Sequence, residues 1–353
     1  MGVTDSLTTN QSIAMTRQGQ IVDKILFLDG ISGTGKTMMG PVLGSFNGVE
    51  LGRFEYNFEY LCALNVLGKI DGDAAVFMIK MLADLCIYNM MISREVNFRP
   101  TDLSGIFSNP NTWRYLKRLF VKDGRVVLDR IKNENPVLHL VSHQSLGIMK
   151  PIFEAFASRV HVIEMVRHPA YLVDHWLTYI DRFGTDPRDF TVCFDYEGKS
   201  LPWFAHGWEE KYVQASSMDK VIYTLENLIH RSENTKKNIP DELRKNVLTV
   251  PFERFVLNPE PDIRKIEQVL STEATAATYK VLQGQKVPRL QVAAGPNKEI
   301  YRRYAWVNPN PKMTDQEELK QKREAVESKL SLSAREAFIH LCQDYEKAFG
   351  LWF

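Results

Sequence analysis

Short apolar runs rich in β-branched residues alternate along the chain with longer stretches in which apolar residues return every three to four positions. This is the pattern of a parallel sheet with helices on its faces. The runs Lys24–Leu28, Pro136–Val141, Val160–Val166 and Val247–Val250 predict core strands, and two of them, VLHLV and VHVIEMV, lack strict polar alternation, as strands covered on both faces do. Helical spacing predicts helices near 56–68, 74–92, 146–157, 169–182 and 215–231. Asn258-Pro259 opens another, whose Ile263, Ile266 and Leu270 share one face, and amphipathic helices at about 315–330 and 334–349 close the chain.

The most apolar stretch, Ala74 to Ile92, is interrupted by Lys80, Asp84 and Asn89. Those side chains suit a buried helix and not a bilayer core, so no membrane span is expected. The first twenty residues are polar and predict a flexible tail, 1–20, ahead of a single domain over 21–353. Residues 284–312 mix Gly and Pro breaks with Lys298, Arg302 and Arg303 and show no clear period, which predicts a long ordered loop or a lid.

Composition narrows the function classes. With 44 Lys+Arg against 43 Asp+Glu in 353 residues, the net charge is +1, so affinity cannot rest on bulk attraction to nucleic acid or anionic membrane, and any basic site must be focal. Cys62, Cys86, Cys193 and Cys342 form no CxxC pair and no histidine cluster accompanies them. They read as reduced thiols of a cytoplasmic protein with neither disulfide framework nor metal site.

The strongest local signal is a buried strand running into Gly30-Ile31-Ser32-Gly33-Thr34-Gly35-Lys36-Thr37, which fits GxxxxGK[ST], the Walker A pattern, at every fixed position. Glycines let the backbone fold so that consecutive N–H groups and a helix N-terminus converge on an anion, with Lys36 adding a mobile charge. Gly30, Ser32, Gly33, Thr34, Gly35, Lys36 and Thr37 are therefore candidates for binding a nucleotide phosphate. The loop predicts a P-loop NTPase-like α/β fold of three layers, a central parallel sheet flanked by helices. It cannot name the reaction, because kinases, switches and sulfotransferases all use it.

Three further segments, in order and spacing, resemble the sulfotransferase superfamily that uses 3′-phosphoadenosine 5′-phosphosulfate (PAPS). Ser32-Gly33-Thr34 is similar to the family's loop for the 5′-phosphate and sulfuryl end of the donor. Pro136–His143, PVLHLVSH, is similar to the strand ending in Ser/Thr-His, and the resemblance implies His143 as the base that takes the acceptor's proton. Val162–Pro169, VIEMVRHP, resembles the strand ending in R-x-P, which implies Arg167 as the ligand of the 3′-phosphate. Val250–Pro259, VPFERFVLNP, is similar to the family's late strand and its continuation. Departures are Ile31 where the family has Lys or Arg, His175 where it has a second 3′-phosphate ligand, and NKEIYRRYAW, around Lys298, Arg302 and Arg303, in place of its late basic RKG loop.

The resemblance implies PAPS as sulfuryl donor, Lys36 and His143 as catalytic residues, Arg167 and His175 as donor contacts, and a small-molecule or carbohydrate hydroxyl or amine as acceptor. Aromatics and methionines between residues 53 and 120, among them Phe54, Tyr56, Tyr60, Met90 and Trp113, either wall an acceptor pocket or form helical core. The alternative is an ATP-dependent kinase, with magnesium held by Thr37 and by an acidic residue at a strand end, or a nucleotide-binding regulator. Asp129, after the run Val126-Val127-Leu128, would be that carboxylate, with Asp29 as a second option.

Overall fold

The structure, a computed structural model, describes residues 13–102, 104–302, 307 and 309–350. Five parallel strands form the central sheet: β1 (Lys24–Asp29), β2 (Arg53–Phe54), β3 (Val137–Val141), β4 (Val160–Val166) and, after the antiparallel hairpin of β5 (Cys193–Tyr196) and β6 (Lys199–Pro202), β7 (Val247–Pro251). Their order is β2-β3-β1-β4-β7, so β1, which feeds the glycine loop, is central.

Side chains of successive strand residues point to opposite faces, and both faces of this sheet are apolar. On β1, Ile25 and Phe27 enter one core with Leu138 and Leu140 of β3, while Leu26 and Leu28 enter the other with Val137 and Val141. The first core is closed by the helices Tyr56–Val66, Gly72–Met91, Ser217–Asn238 and Leu332–Phe349; the second by Lys36–Leu43, Glu260–Leu270 and Ala276–Gly284. Three layers result, as the loop and the strand runs predict.

The helix Gly72–Met91 is long and apolar enough to cross a membrane, yet half of that span is buried in the protein. Its Asp84 is buried and accepts from Arg17 at 2.6 Å and from the backbone N–H groups of Ile21 and Val22, which ties residues 17–22 to the domain. All four cysteines are free thiols, and Cys62, Cys86 and Cys342 are buried.

Two sequence expectations fail for identifiable reasons. Val126-Val127-Leu128 is no strand: it lies in the helix Arg125–Glu134, where Val127 and Ile131, four apart, supply the buried face. The expected helix 169–182 breaks into Val173–Leu177 between two short 3₁₀ turns, because Thr178 turns its N–H and its hydroxyl back onto the carbonyl of His175, at 3.2 and 2.7 Å.

Candidate active site

The C-terminal ends of β1, β3 and β4 open on a cavity of about 720 Å³, the position where parallel α/β sheets bind ligands. Ser32, Gly33, Gly35, Lys36 and Thr37 line it from the glycine loop. Gly30 and Thr34, also expected to bind, do not line it; they shape the loop instead. A side chain at Gly30 would meet the carbonyl oxygen of Met165 at 2.2 Å, and Thr34 Oγ1 donates to Ile31 O at 2.8 Å. Gly35 has φ 101°, and a Cβ there would lie 2.4 Å from the Phe252 ring, so the turn into the helix Lys36–Leu43 closes only around glycine. The N–H groups of Met38 and Met39 close onto the Gly35 carbonyl, which leaves those of Lys36 and Thr37, the first two of the helix, for an anion.

Lys36 is buried, and its Nζ donates to the carbonyls of Gly30 and Ile31. Burial lowers its ammonium to about 8, against the opposing pull of Asp29 and Glu59.

Asp29, the last residue of β1, is buried and accepts from Ser142 Oγ at 2.8 Å, Ser145 N–H at 3.0 Å and Leu146 N–H at 2.8 Å. Backbone bonds from Ser142 to Leu28 and from Gln144 to Gly30, both 3.0 Å, complete the stitch between the loop after β3 and the glycine loop. This brings His143 into the cavity. Glu59, from the helix Tyr56–Val66, accepts from the His143 backbone N–H at 3.1 Å and from ring Nδ1 at 3.0 Å. A carboxylate can only accept, so Nδ1 carries a proton, and in the neutral ring the lone pair is on Nε2. The ring is stacked between Phe54 and Tyr56, centroids 5.5 and 5.6 Å away. Glu59 was not legible as a partner: 84 residues separate it from His143, and it sits in an ordinary helical pattern.

Arg167, just beyond β4, donates from Nη1 to Gly33 O at 3.1 Å and lies over the rings of Phe252 and Tyr171, at 4.5 and 5.0 Å from their centroids. Glu253 is the carboxylate beneath it. That side chain is fully buried and accepts from His168 N–H at 3.0 Å and Tyr345 Oη at 2.7 Å; burial raises its carboxyl, against the Arg167 charge. Arg289, 5.4 Å from the Phe252 centroid, is a second guanidinium against that ring, and burial and the Arg167 charge lower it to about 10. Lys298 and Arg302, whose basic run the sequence leaves equally open to covering the donor's phosphates or to solvent, do not line the cavity, and Arg303 lies outside the described residues. The loop 284–312 therefore does cover the site, through Arg289, Ala293, Gly295 and Tyr301. Among the described residues, Nε of both Arg167 and Arg289 is buried without a hydrogen-bond partner. Two cations beside one ring on the same cavity fit an anion of more than one negative charge.

His175 lines the same cavity and packs its ring over Gly33, where an added Cβ would come within 3.2 Å. Burial, and then the charges of Arg167 and Lys36, lower its pKa to about 3, so it meets a ligand as a neutral ring.

The opposite end of the cavity is aromatic: Phe54, Tyr56, Tyr60, Phe183, Phe190 and Trp203. Of the aromatics and methionines between residues 53 and 120, Phe58, Met90 and Met91 are core, and Trp113 is exposed and off the cavity. Asp129 is exposed on its helix, far from the strand-end role considered for it, and Asp29 is consumed by the three donors above.

No protein-family model matches the chain, and no curated protein sequence matches it. Among solved structures it is similar to the sulfotransferase domain from the curacin biosynthetic pathway, at 11% identity and a TM-score of 0.45, covering 92% of this chain and 97% of that one. The sulfotransferase domain of the Synechococcus PCC 7002 olefin synthase gives 12% identity, a TM-score of 0.42 and coverage of 94% and 98%. Sulfotransferase STF9 from Mycobacterium avium gives 11%, 0.41, 95% and 79%. What the site can do follows from its own side chains.

Proposed function

We propose that the protein transfers a sulfuryl group from PAPS to a hydroxyl or amine of an acceptor held at the aromatic end of the cavity. One observation carries this reading: a histidine whose Nδ1–H is held by Glu59 shares a cavity with a glycine loop and two arginines, Arg167 and Arg289. The glycine loop and Lys36 would hold the 5′-phosphate and the sulfuryl group, and Arg167 and Arg289 the 3′-phosphate. The chain's own work is positioning, charge stabilisation and proton removal. His143 Nε2 takes the acceptor's proton as its oxygen or nitrogen bonds to sulfur. The bond from sulfur to the bridging phosphate oxygen breaks, and that oxygen keeps the electron pair beside Lys36. Adenosine 3′,5′-bisphosphate leaves.

A kinase reading needs an acidic residue facing the loop Thr37, and neither Asp129 nor Asp29 supplies one. Calorimetric titration with adenosine 3′,5′-bisphosphate, and with ADP and ATP with and without magnesium, tests the donor. Tight, metal-independent binding of the bisphosphate with weak ADP is expected, and Arg167→Ala should remove that preference. Magnesium-dependent ATP binding with no preference for a 3′-phosphate would overturn the proposal.

A further inference from the structure

The segment Thr112–Val126 carries five cations, Arg114, Lys117, Arg118, Lys122 and Arg125, against one carboxylate, Asp123, in a chain whose net charge is only +1. Two of the five are spent inside the fold. Arg118 is buried and pairs with buried Glu50 at 2.7 Å, Arg114 approaches the same carboxylate at 3.5 Å, and Tyr115 Oη donates to it at 3.0 Å. These contacts fix which face of the helix Thr112–Arg118 looks inward. Trp113, 74% exposed, and Lys117, four apart on that helix, share its outward face, and Phe120, 87% exposed, stands in the turn just beyond its C-terminus. Leu119, Val126 and, from the turn tied to the helix by Thr112 Oγ1 and Ile106 O at 2.8 Å, Phe107 are exposed as well. Lys117, Lys122 and Arg125 are exposed and have no carboxylate partner within salt-bridge distance among the described residues.

We propose that this face docks on an anionic phospholipid bilayer, with Trp113 and Phe120 entering the headgroup region and Lys117, Lys122 and Arg125 meeting lipid phosphates. Charge complementarity selects the partner: aromatic tips ringed by unpaired cations match a surface that is apolar beneath and negative above. Aliphatic Leu119 and Val126 beside the rings suit acyl chains better than stacked bases. The face is also linked to the acceptor end of the cavity. Arg94 pairs with Asp123 at 3.5 Å, the next residue, Glu95, pairs with Arg53 at 2.8 Å, and Arg53 precedes Phe54, which stacks on His143. Docking would hold that end of the enzyme near the bilayer. The proposal does not depend on which donor the phosphate loop takes.

Co-sedimentation of the full chain with vesicles tests it, comparing phosphatidylcholine alone with phosphatidylcholine containing phosphatidylserine. Binding is expected only to the anionic vesicles and should weaken with salt. Trp113→Ser with Phe120→Ser should abolish it, and Lys117→Gln with Lys122→Gln and Arg125→Gln should lower affinity by about 100-fold, at about fivefold per cation. Leu85→Ser, on another exposed apolar residue, should leave it unchanged. Thermal melting and bisphosphate affinity verify that each variant is folded. No binding, equal binding to neutral vesicles, or binding that survives the Trp113→Ser and Phe120→Ser pair would overturn the proposal. So would concentration-dependent self-association that the same pair abolishes without any vesicle binding, which would assign the face to a second copy of the chain.

Discussion

Lys36 supplies a prediction whose size comes from its surroundings. The ammonium sits against the carbonyls of Gly30 and Ile31, and burial lowers it to about 8. Only its charged form attracts a phosphate or sulfuryl oxygen. At about pH 7 roughly nine-tenths of it is charged, and at about pH 9.5 roughly 3%, so adenosine 3′,5′-bisphosphate should bind about 30-fold more weakly at the higher pH, about 2 kcal/mol. The ligand's own phosphates, with a second pKa of about 6, are already about nine-tenths doubly ionised at the start of that range. Folding responds with the opposite sign. The folded pKa lies below the unfolded value, so between about 8 and about 10.5 the unfolded chain holds more protons, and this group makes the free protein more stable as pH rises. Calorimetry across the range should therefore show affinity falling while thermal melts show no parallel loss. Lys36→Met should bind weakly with a flat profile, and Lys36→Arg should flatten the profile because a guanidinium stays charged. A flat wild-type profile, or a slope that persists in Lys36→Met, would refute the reasoning.

Other outcomes follow from single contacts. His143→Ala should lower kcat by roughly 10²–10⁴ with bisphosphate affinity unchanged, measured in a sulfate-transfer assay once an acceptor is found; undiminished turnover would remove the histidine from the chemistry. Glu59→Gln keeps the shape but loses the charge behind Nδ1, so kcat should fall roughly tenfold or more while donor KM holds, with Glu59→Asp recovering part; a change confined to donor KM would contradict its role in holding the histidine. Gly35→Ala forces a side chain at φ 101° into the Phe252 ring and should destabilise the fold by about 1–3 kcal/mol, read as a lowered Tm, with weakened bisphosphate binding; an unchanged Tm would show that the loop can relax.

The parts of the site that could be read from the sequence are those in which chemistry follows a strand directly. The glycine loop after β1, His143 after β3 and Arg167 after β4 each stand just past an apolar run whose end a reader can find. Glu59 and Arg289 could not be found that way. One sits in a helix whose pattern gives no hint of a partner for His143, and the other in an aperiodic segment whose path is set by long-range bonds such as Arg289 N–H to Val256 O at 2.7 Å. The attention given to Lys298, Arg302 and Arg303 followed charge density, whereas the cavity takes the arginine that Phe252 can stack against. Val126-Val127-Leu128 misled through β-branched composition over three residues, too short a run to tell period two from the i, i+4 pair Val127 and Ile131 that decides it.

Asp29 belongs to the strand that carries the phosphate loop and at the same time grips the loop that carries His143. The spacing between the glycine loop and the histidine is thus set at the centre of the sheet, by one carboxylate and the two backbone bonds beside it. The aromatic walls around the acceptor end come from other places, Phe54 to Tyr60 and the segment around Phe183 to Phe190. Those walls can accordingly be recut without moving His143 relative to the glycine loop, and the scaffold divides into a fixed jig and an exchangeable vise.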